Sequence, residues 1–281
     1  MSAQPVLFTV EFRRKMAELP YDQRQEWLTS LASQVGGADL GGSGVVAQEL
    51  REVARGCRLR LVESVERNLG PFDPLHLQAL LEVPRERFVK PEEVDRSAQD
   101  VPLPLDSEGL ATISAPHAYL LSYRLLGLTT GDTLVELGTG SGYGAALAAF
   151  IVGPEGGVIT FEIDAELAAW ARRLLFARGA RSGGAGGGGR EPMVRVLEAD
   201  AMKCASQWGD ARKVVVSFAV DALPQPWLEA LPEGGTLVGP VGPREGDQRL
   251  ILAAKRQGRI VESDHGAVRY VRNRSGASPS R

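Results

Sequence analysis

The chain has 281 residues, 43% of them hydrophobic, which is enough apolar material for one large domain with an attachment and excludes general disorder. Its 32 basic and 35 acidic side chains leave a formal charge of -3, unlike the basic excess of a dedicated nucleic-acid binder, and no apolar run approaches the roughly 20 residues that span a bilayer. Two cysteines (Cys57, Cys204) and three scattered histidines (His76, His117, His265) make neither a disulfide framework nor a metal-ligand spacing, and without a signal-peptide pattern the expected location is cytoplasmic.

In chain order, residues 21–34 place Trp27, Leu28 and Leu31 at helical spacing. Glycine-rich stretches at 36–44 and 179–190 would lose too much backbone entropy on ordering to be core, and are expected as loops. The first closes an N-terminal helical extension, 1–45; the main domain is expected over 46–273 and a polar, fraying tail over 274–281. Val46, Leu50, Val53, Cys57, Leu61 and Val65 recur every three or four residues and predict an amphipathic helix, with Cys57 as a small buried hydrophobe. A further helix is expected at 75–81, then a proline-rich polar loop containing Pro91, Pro102 and Pro104.

From about residue 118 strands and helices alternate. The pattern predicts a helix at 120–128 ending near Gly131, a strand at 133–137, a helix at 143–152, a strand at 158–161 and a helix at 166–177. Strands at 193–197, 214–218, 235–241, 250–255 and 267–271 complete the sheet. Such alternation with short turns specifies a doubly wound α/β domain with a mainly parallel sheet.

Gly138-Thr139-Gly140-Ser141-Gly142 follows the first of these strands and opens a helix, where backbone can approach a ligand. Its Gly138-x-Gly140-x-Gly142 spacing differs from the G-x-G-x-x-G of dinucleotide sites, and no Tyr-x-x-x-Lys or His-acid pair of a nicotinamide dehydrogenase is evident. Glu136 lies within the preceding strand. Glu162 ends the next, where an acid accepts hydrogen bonds from ribose hydroxyls, and Asp200 follows the third, within reach of an adenine amino group. This order resembles that of S-adenosylmethionine-dependent methyltransferases, whose cofactor has no pyrophosphate and needs an acidic neighbour for its ammonium group.

A more specific resemblance lies upstream. Val83-Pro84-Arg85-Glu86-Arg87-Phe88-Val89, Pro102-Leu103-Pro104 and Ala111-Thr112-Ile113-Ser114-Ala115-Pro116-His117 resemble the protein-L-isoaspartate O-methyltransferases. Later segments agree in order: 234–238, 240–243, Gln248 and Val268-Arg269-Tyr270-Val271. The resemblance implies a Rossmann-like class I methyltransferase fold and methyl transfer from S-adenosyl-L-methionine to the α-carboxylate of an isoaspartyl residue in damaged proteins or peptides. It further implies that Ser114 sits beside the reacting carboxylate. Ala111, Thr112, Ile113, Tyr119, Glu136, Gly138, Gly140, Ser141, Gly142, Glu162, Ile163, Ala199 and Asp200 would contact cofactor; His117, Phe218 and Ala219 would face substrate.

The chain departs from the family pattern in places. Tyr119 stands where the family has a second histidine after the Ser-Ala-Pro-His block, and Phe218-Ala219-Val220-Asp221 replaces Ala-Ala-Ala-Pro. Ala199 and Ala201 replace two glycines around Asp200, and Ala98-Gln99-Asp100 replaces an aromatic-acid pair. Two alternatives therefore stand beside isoaspartyl methylation: a methyltransferase dedicated to one peptide or small-molecule carboxylate, and a non-catalytic cofactor-binding module.

Overall fold

The computed structural model describes residues 45–176, 193–243 and 246–275, the first nine of these as backbone only. The helix expected at 21–34 and both glycine-rich stretches lie outside the described residues.

Helix α1, Val45–Leu69, realises the three-to-four-residue apolar repeat, and α2, Pro74–Glu82, begins where Asp73 accepts the Leu75 N–H (2.8 Å) with proline at the first helical position. Both join the main core: Leu61, Val65, Ala79 and Leu80 pack in one apolar cluster with Leu120, Leu147 and Ile151. Cys57 is buried in the same helix face, and burial pushes its thiol up to about 12, away from nucleophilic reactivity. Arg58 bridges this helix to the next segment, pairing with Glu86 and donating from Nε to the Leu81 carbonyl (2.7 Å).

A short antiparallel pair, β1 (Leu103–Pro104) and β2 (Thr112–Ile113), precedes α3, Pro116–Leu126. The helix starts four residues before its expected position, because Pro116 is already set for the first turn, and stops at Gly127, whose left-handed backbone caps it before Gly131. The sheet is built from β3 (Thr133–Leu137), β4 (Gly157–Glu162), β5 (Met193–Glu198), β6 (Lys213–Val216), β7 (Thr236–Val241), β8 (Gln248–Arg256) and β9 (Arg259–Val268). Helices α4 (Tyr143–Val152), α5 (Ala165–Phe176) and α6 (Gln225–Ala230) connect them.

Strand order is β5-β4-β3-β6-β7-β8-β9; the first five run parallel and the last two turn back antiparallel. Side chains alternate across it. Leu134, Val158 and Val215 join the cluster holding α1 to α4, while Val135, Leu137, Ile159, Phe161, Val214 and Val216 pack on the other face with Trp208 and Trp227. Glycine loop and strand ends therefore meet at the carboxyl edge of a sheet buried on both faces.

The last strand corrects the expectation of 267–271. Gln257 and Gly258, both at positive φ (51° and 72°), form a two-residue hairpin turn directly after β8, so its partner must begin at Arg259. That edge strand is mostly exposed and polar, which hides it from a reading based on apolar runs.

Because Leu80 is fully buried between the helical segment and the sheet domain, Leu80→Ala should cost about 2–5 kcal/mol in a guanidinium titration. A change under about 0.5 kcal/mol would show that α2 packs outside the cooperative core.

Candidate functional site

The polypeptide leaves β3 through Gly138, Gly140 and Gly142, all at positive φ (96°, 55° and 90°), a path closed to most side-chain-bearing residues. Neighbouring β4 holds this loop. The amides of Gly138 and Thr139 donate to the Phe161 carbonyl (2.9 and 3.1 Å), and Gly140 donates to Glu162 Oε2 (2.8 Å). Glu162 Oε1 accepts the Asp164 amide at 3.1 Å, so both carboxylate oxygens are fixed. Burial raises the Glu162 pKa despite the Asp164 and Gly140 amides that favour its charge.

Beside the loop opens a cleft. Many of the residues implicated by the resemblance line it. Ala111 to Ser114 and Tyr119 form one side, Gly138, Gly140 and Ser141 the floor, and Glu162, Ile163, Asp200 and Phe218 the remainder. Among the described residues the buried Ser141 Oγ has no hydrogen-bond partner. A Cβ on Gly140 would come within 3.1 Å of Leu105, so backbone passes where a side chain would crowd.

Asp200 accepts the Met202 amide (3.0 Å) and the Ser275 hydroxyl (2.7 Å), with Lys203 Nζ at 3.4 Å. Burial works against its charge, but the Ser275 and Met202 bonds and Lys203 outweigh it and hold the carboxyl below its usual range.

Five expected site residues do not line the cleft. Glu136 is the main correction. Strand alternation turns it to the helix-covered face with Leu134, where it is 1% exposed and accepts the Thr160 hydroxyl (2.7 Å). Burial pushes its pKa up to about 8, so it is a largely neutral acid at pH 7 and offers no anion to an ammonium group. A Cβ at Gly144 would sit 2.0 Å from Glu136 Oε1, so α4 presses directly on this carboxyl. Gly142 packs on α5, where a Cβ would meet Leu175 at 3.0 Å, and Ala199 donates its amide to the Glu162 carbonyl (2.8 Å). His117 turns from the cleft, its Nδ1 and its amide both on Asp100 (2.9 and 3.0 Å). Ala219 is fully buried; its backbone pairs with Val271 and Asn273.

The sequence reading missed the C-terminal wall. Val271, Arg272, Asn273 and Arg274 line the cleft, and residues 274 and 275, expected in a fraying tail, are tied down. Arg272 reaches the Gly242 carbonyl and Asp221, Arg274 reaches Asp164 (3.4 Å), and Ser275 holds Asp200. Polar and basic composition suggested a tail; the acids that receive it are 51 to 110 positions away, a pairing that local patterns do not show. Thr139, Phe161 and Ser217, each beside an implicated residue or in a strand end, were also missed, as was Leu167 in α5.

The family model of "Protein-L-isoaspartate(D-aspartate) O-methyltransferase (PCMT)" matches residues 61–277. The chain belongs to this family. A protein-L-isoaspartate O-methyltransferase of Methanopyrus kandleri is 34% identical over 221 residues, 78% of this chain and 92% of the relative. One from Ignicoccus hospitalis is 40% identical over 179 residues, 63% and 78% of the two chains. Among solved structures, a protein-L-isoaspartate O-methyltransferase superposes with a TM-score of 0.65 at 23% identity, covering 76% of this chain and 65% of the other. A Plasmodium falciparum protein assigned to the same family and crystallised with S-adenosyl-L-homocysteine gives 0.62 at 22% identity, covering 76% and 96%. Both show the fold. The family match continues past residue 273, in keeping with the ordered wall.

Glu136 gives this protein a pH signature. Its pKa rises from an ordinary 4.5 to about 8 on folding, so the stability it contributes is fully present below about pH 4.5 and is lost as pH climbs towards 8. Glu136→Gln removes that titration. Urea curves from pH 5 to 8 should show wild type losing stability relative to the variant by up to about 1.4 kcal/mol per pH unit. Parallel pH profiles would mean that the folded protein leaves Glu136 free to ionise.

Proposed function

We propose that this chain transfers a methyl group from S-adenosyl-L-methionine to the α-carboxylate of an isoaspartyl residue in damaged proteins or peptides. The observation that carries this reading is that Ser114 shares one cleft with the Gly138–Ser141 loop, Glu162 and Asp200. The residues fit the cofactor. Glu162 accepts the Gly140, Asp164 and Ile163 amides and keeps lone-pair capacity for a ribose hydroxyl, Ser141 Oγ has no partner among the described residues, and Asp200 presents a carboxylate for an amino group. The bound sulfonium supplies the methyl group and its leaving group.

The acceptor demands little of the protein. A carboxylate with an ordinary pKa near ~4 is already ionised at neutral pH and needs no general base. What remains is orientation in line with the methyl and exclusion of water, which can contribute about 7–11 kcal/mol. Ser114 supplies a hydroxyl donor for one carboxylate oxygen. Its peptide is anchored by Arg85, 1% exposed, which donates to the Ser114 carbonyl (3.0 Å) and to the carbonyls of Ser97, Gln99 and Val101 (2.8–3.0 Å). The protein works in the cytoplasm; no helix among the described residues is long and apolar enough to cross a membrane.

A second reading, a methyltransferase dedicated to one carboxylate substrate, is favoured by the acceptor end itself. There Phe218 lines the cleft with Arg272, which pairs with Asp221.

Radiolabelled methyl transfer should give base-labile label on an isoaspartyl peptide and none on its aspartyl isomer. Equal labelling, or none, refutes the primary reading; turnover confined to one member of a varied isoaspartyl panel supports the second. Ser114→Ala should lose about 100-fold in turnover while cofactor affinity holds, with calorimetry as the check. Ser275→Ala, by freeing Asp200 Oδ2, should tighten cofactor binding; weaker binding would place Ser275 among the ligand's partners.

A further inference from the structure

We propose that the Arg272 guanidinium binds the acceptor's carboxylate at the oxygen that Ser114 leaves free. This rests on the reading of the chain as a carboxyl methyltransferase and names the group that recognises the acceptor's charge.

Among the described residues, four charged side chains line the cleft: Glu162, Asp200, Arg272 and Arg274. The two acids repel an incoming carboxylate, and a serine hydroxyl orients that anion without offsetting its charge. Arg274 belongs to the acids' end, since it reaches Asp164 (3.4 Å), two residues past Glu162. Arg272 stands apart from them. It bridges Ala219, beside Phe218, and this segment follows β6, which lies across β3 from β4 and β5.

The backbone delivers the Arg272 side chain to a fixed place. Ala219 donates its amide to the Val271 carbonyl (2.8 Å) and accepts the Asn273 amide (3.0 Å), so the residues on either side of Arg272 are both pinned. Val220 in turn bridges Val241 at the end of β7. Arg272 reaches over the 219–221 segment, donating from Nη1 to the Gly242 carbonyl and from Nη2 to Asp221. These bonds use one N–H on each terminal nitrogen; the rest have no partner among the described residues. Asp221 is 79% exposed, so water screens that pair and the planar fork remains open to a second carboxylate.

Methyl transfer ends this interaction by itself. The carboxylate oxygen bonds the methyl carbon as the carbon–sulfur bond breaks, and the anion becomes a neutral ester while the sulfonium becomes a thioether. Arg272 therefore holds substrate more tightly than product. It also favours the ground state over the transition state, where the acceptor's charge is partly spent, so its contribution falls in KM rather than kcat.

The probe is an acetylated, amidated peptide whose only acid is one isoaspartyl residue, with its isoasparaginyl amide as the neutral twin. Calorimetry on protein saturated with S-adenosyl-L-homocysteine should show wild type preferring the carboxylate. Arg272→Gln should lose about 10-fold for it, the scale of a bond to a charged group, while affinity for the amide holds. In methyl transfer this variant should raise KM by a similar factor with kcat unchanged, and Arg272→Lys, which keeps the charge, should lose less. Equal losses for carboxylate and amide overturn the proposal, as does an unchanged KM beside an active wild type. A fall in S-adenosyl-L-homocysteine affinity would place Arg272 at the cofactor and overturn it too. A wild type that binds the carboxylate through Arg272 yet transfers no methyl defeats the reaction and leaves this recognition standing; one that binds neither peptide defeats both.

Discussion

A bond from the Gly140 amide to the Glu162 carboxylate organises the whole site. It ties the loop leaving β3 to the end of β4, and its acceptor is fixed again by the Asp164 amide two residues on. Together with the Gly138 and Thr139 amides on the Phe161 carbonyl, that clamp fixes three alternate residues at positive φ in one conformation. With it, loop backbone, Ser141 and the acid become a single rigid wall. Below the wall, Thr139, Thr160 and Glu136 form a buried chain of hydroxyl and carboxyl groups (2.7 Å each) that ends against α4. That chain supports the loop from beneath, and burial raises the pKa of its acid to about 8.

Much of this was legible in the sequence, for physical reasons that differ from element to element. Strand β3 and helix α4 carry local signals, an apolar run and an alanine-rich stretch separated by glycines, and the structure reproduces their expected limits at 133–137 and 143–152. Glu162 and Asp200 follow from topology alone, since strand ends of a parallel sheet face one edge. Glu136 did not, because it sits one residue inside the end of β3 and is covered by α4. Residue 136 shares the face of Leu134, whereas the neighbouring Leu137 packs opposite. Glu136 pairs with Thr160, two residues short of Glu162, so it lies inside the sheet where Glu162 stands at its edge.

Edges and termini escaped for another reason. Strand β9 is exposed and polar along most of its length, so only its two-residue turn announces it. The arginines at 272 and 274 read as solvated charge until Asp221 and Asp164 are brought within reach by β6 and β4. Likewise, the bond from the Ser114 N–H to the Tyr119 hydroxyl spans five positions, yet it depends on the ring's confinement by α4. Sequence departures from a family pattern point to such places; contacts explain them.

The wall formed by residues 271–275 has a temporal consequence. During synthesis the parallel strands, the glycine loop and the serine turn all emerge before this stretch does. A nascent polypeptide can thus assemble its sheet while one side of the binding chamber is still absent. Arg272, Arg274 and Ser275 then stitch three separated loops together after the fold exists. Loss of those few side-chain contacts would open one side of the chamber while sparing the scaffold beneath.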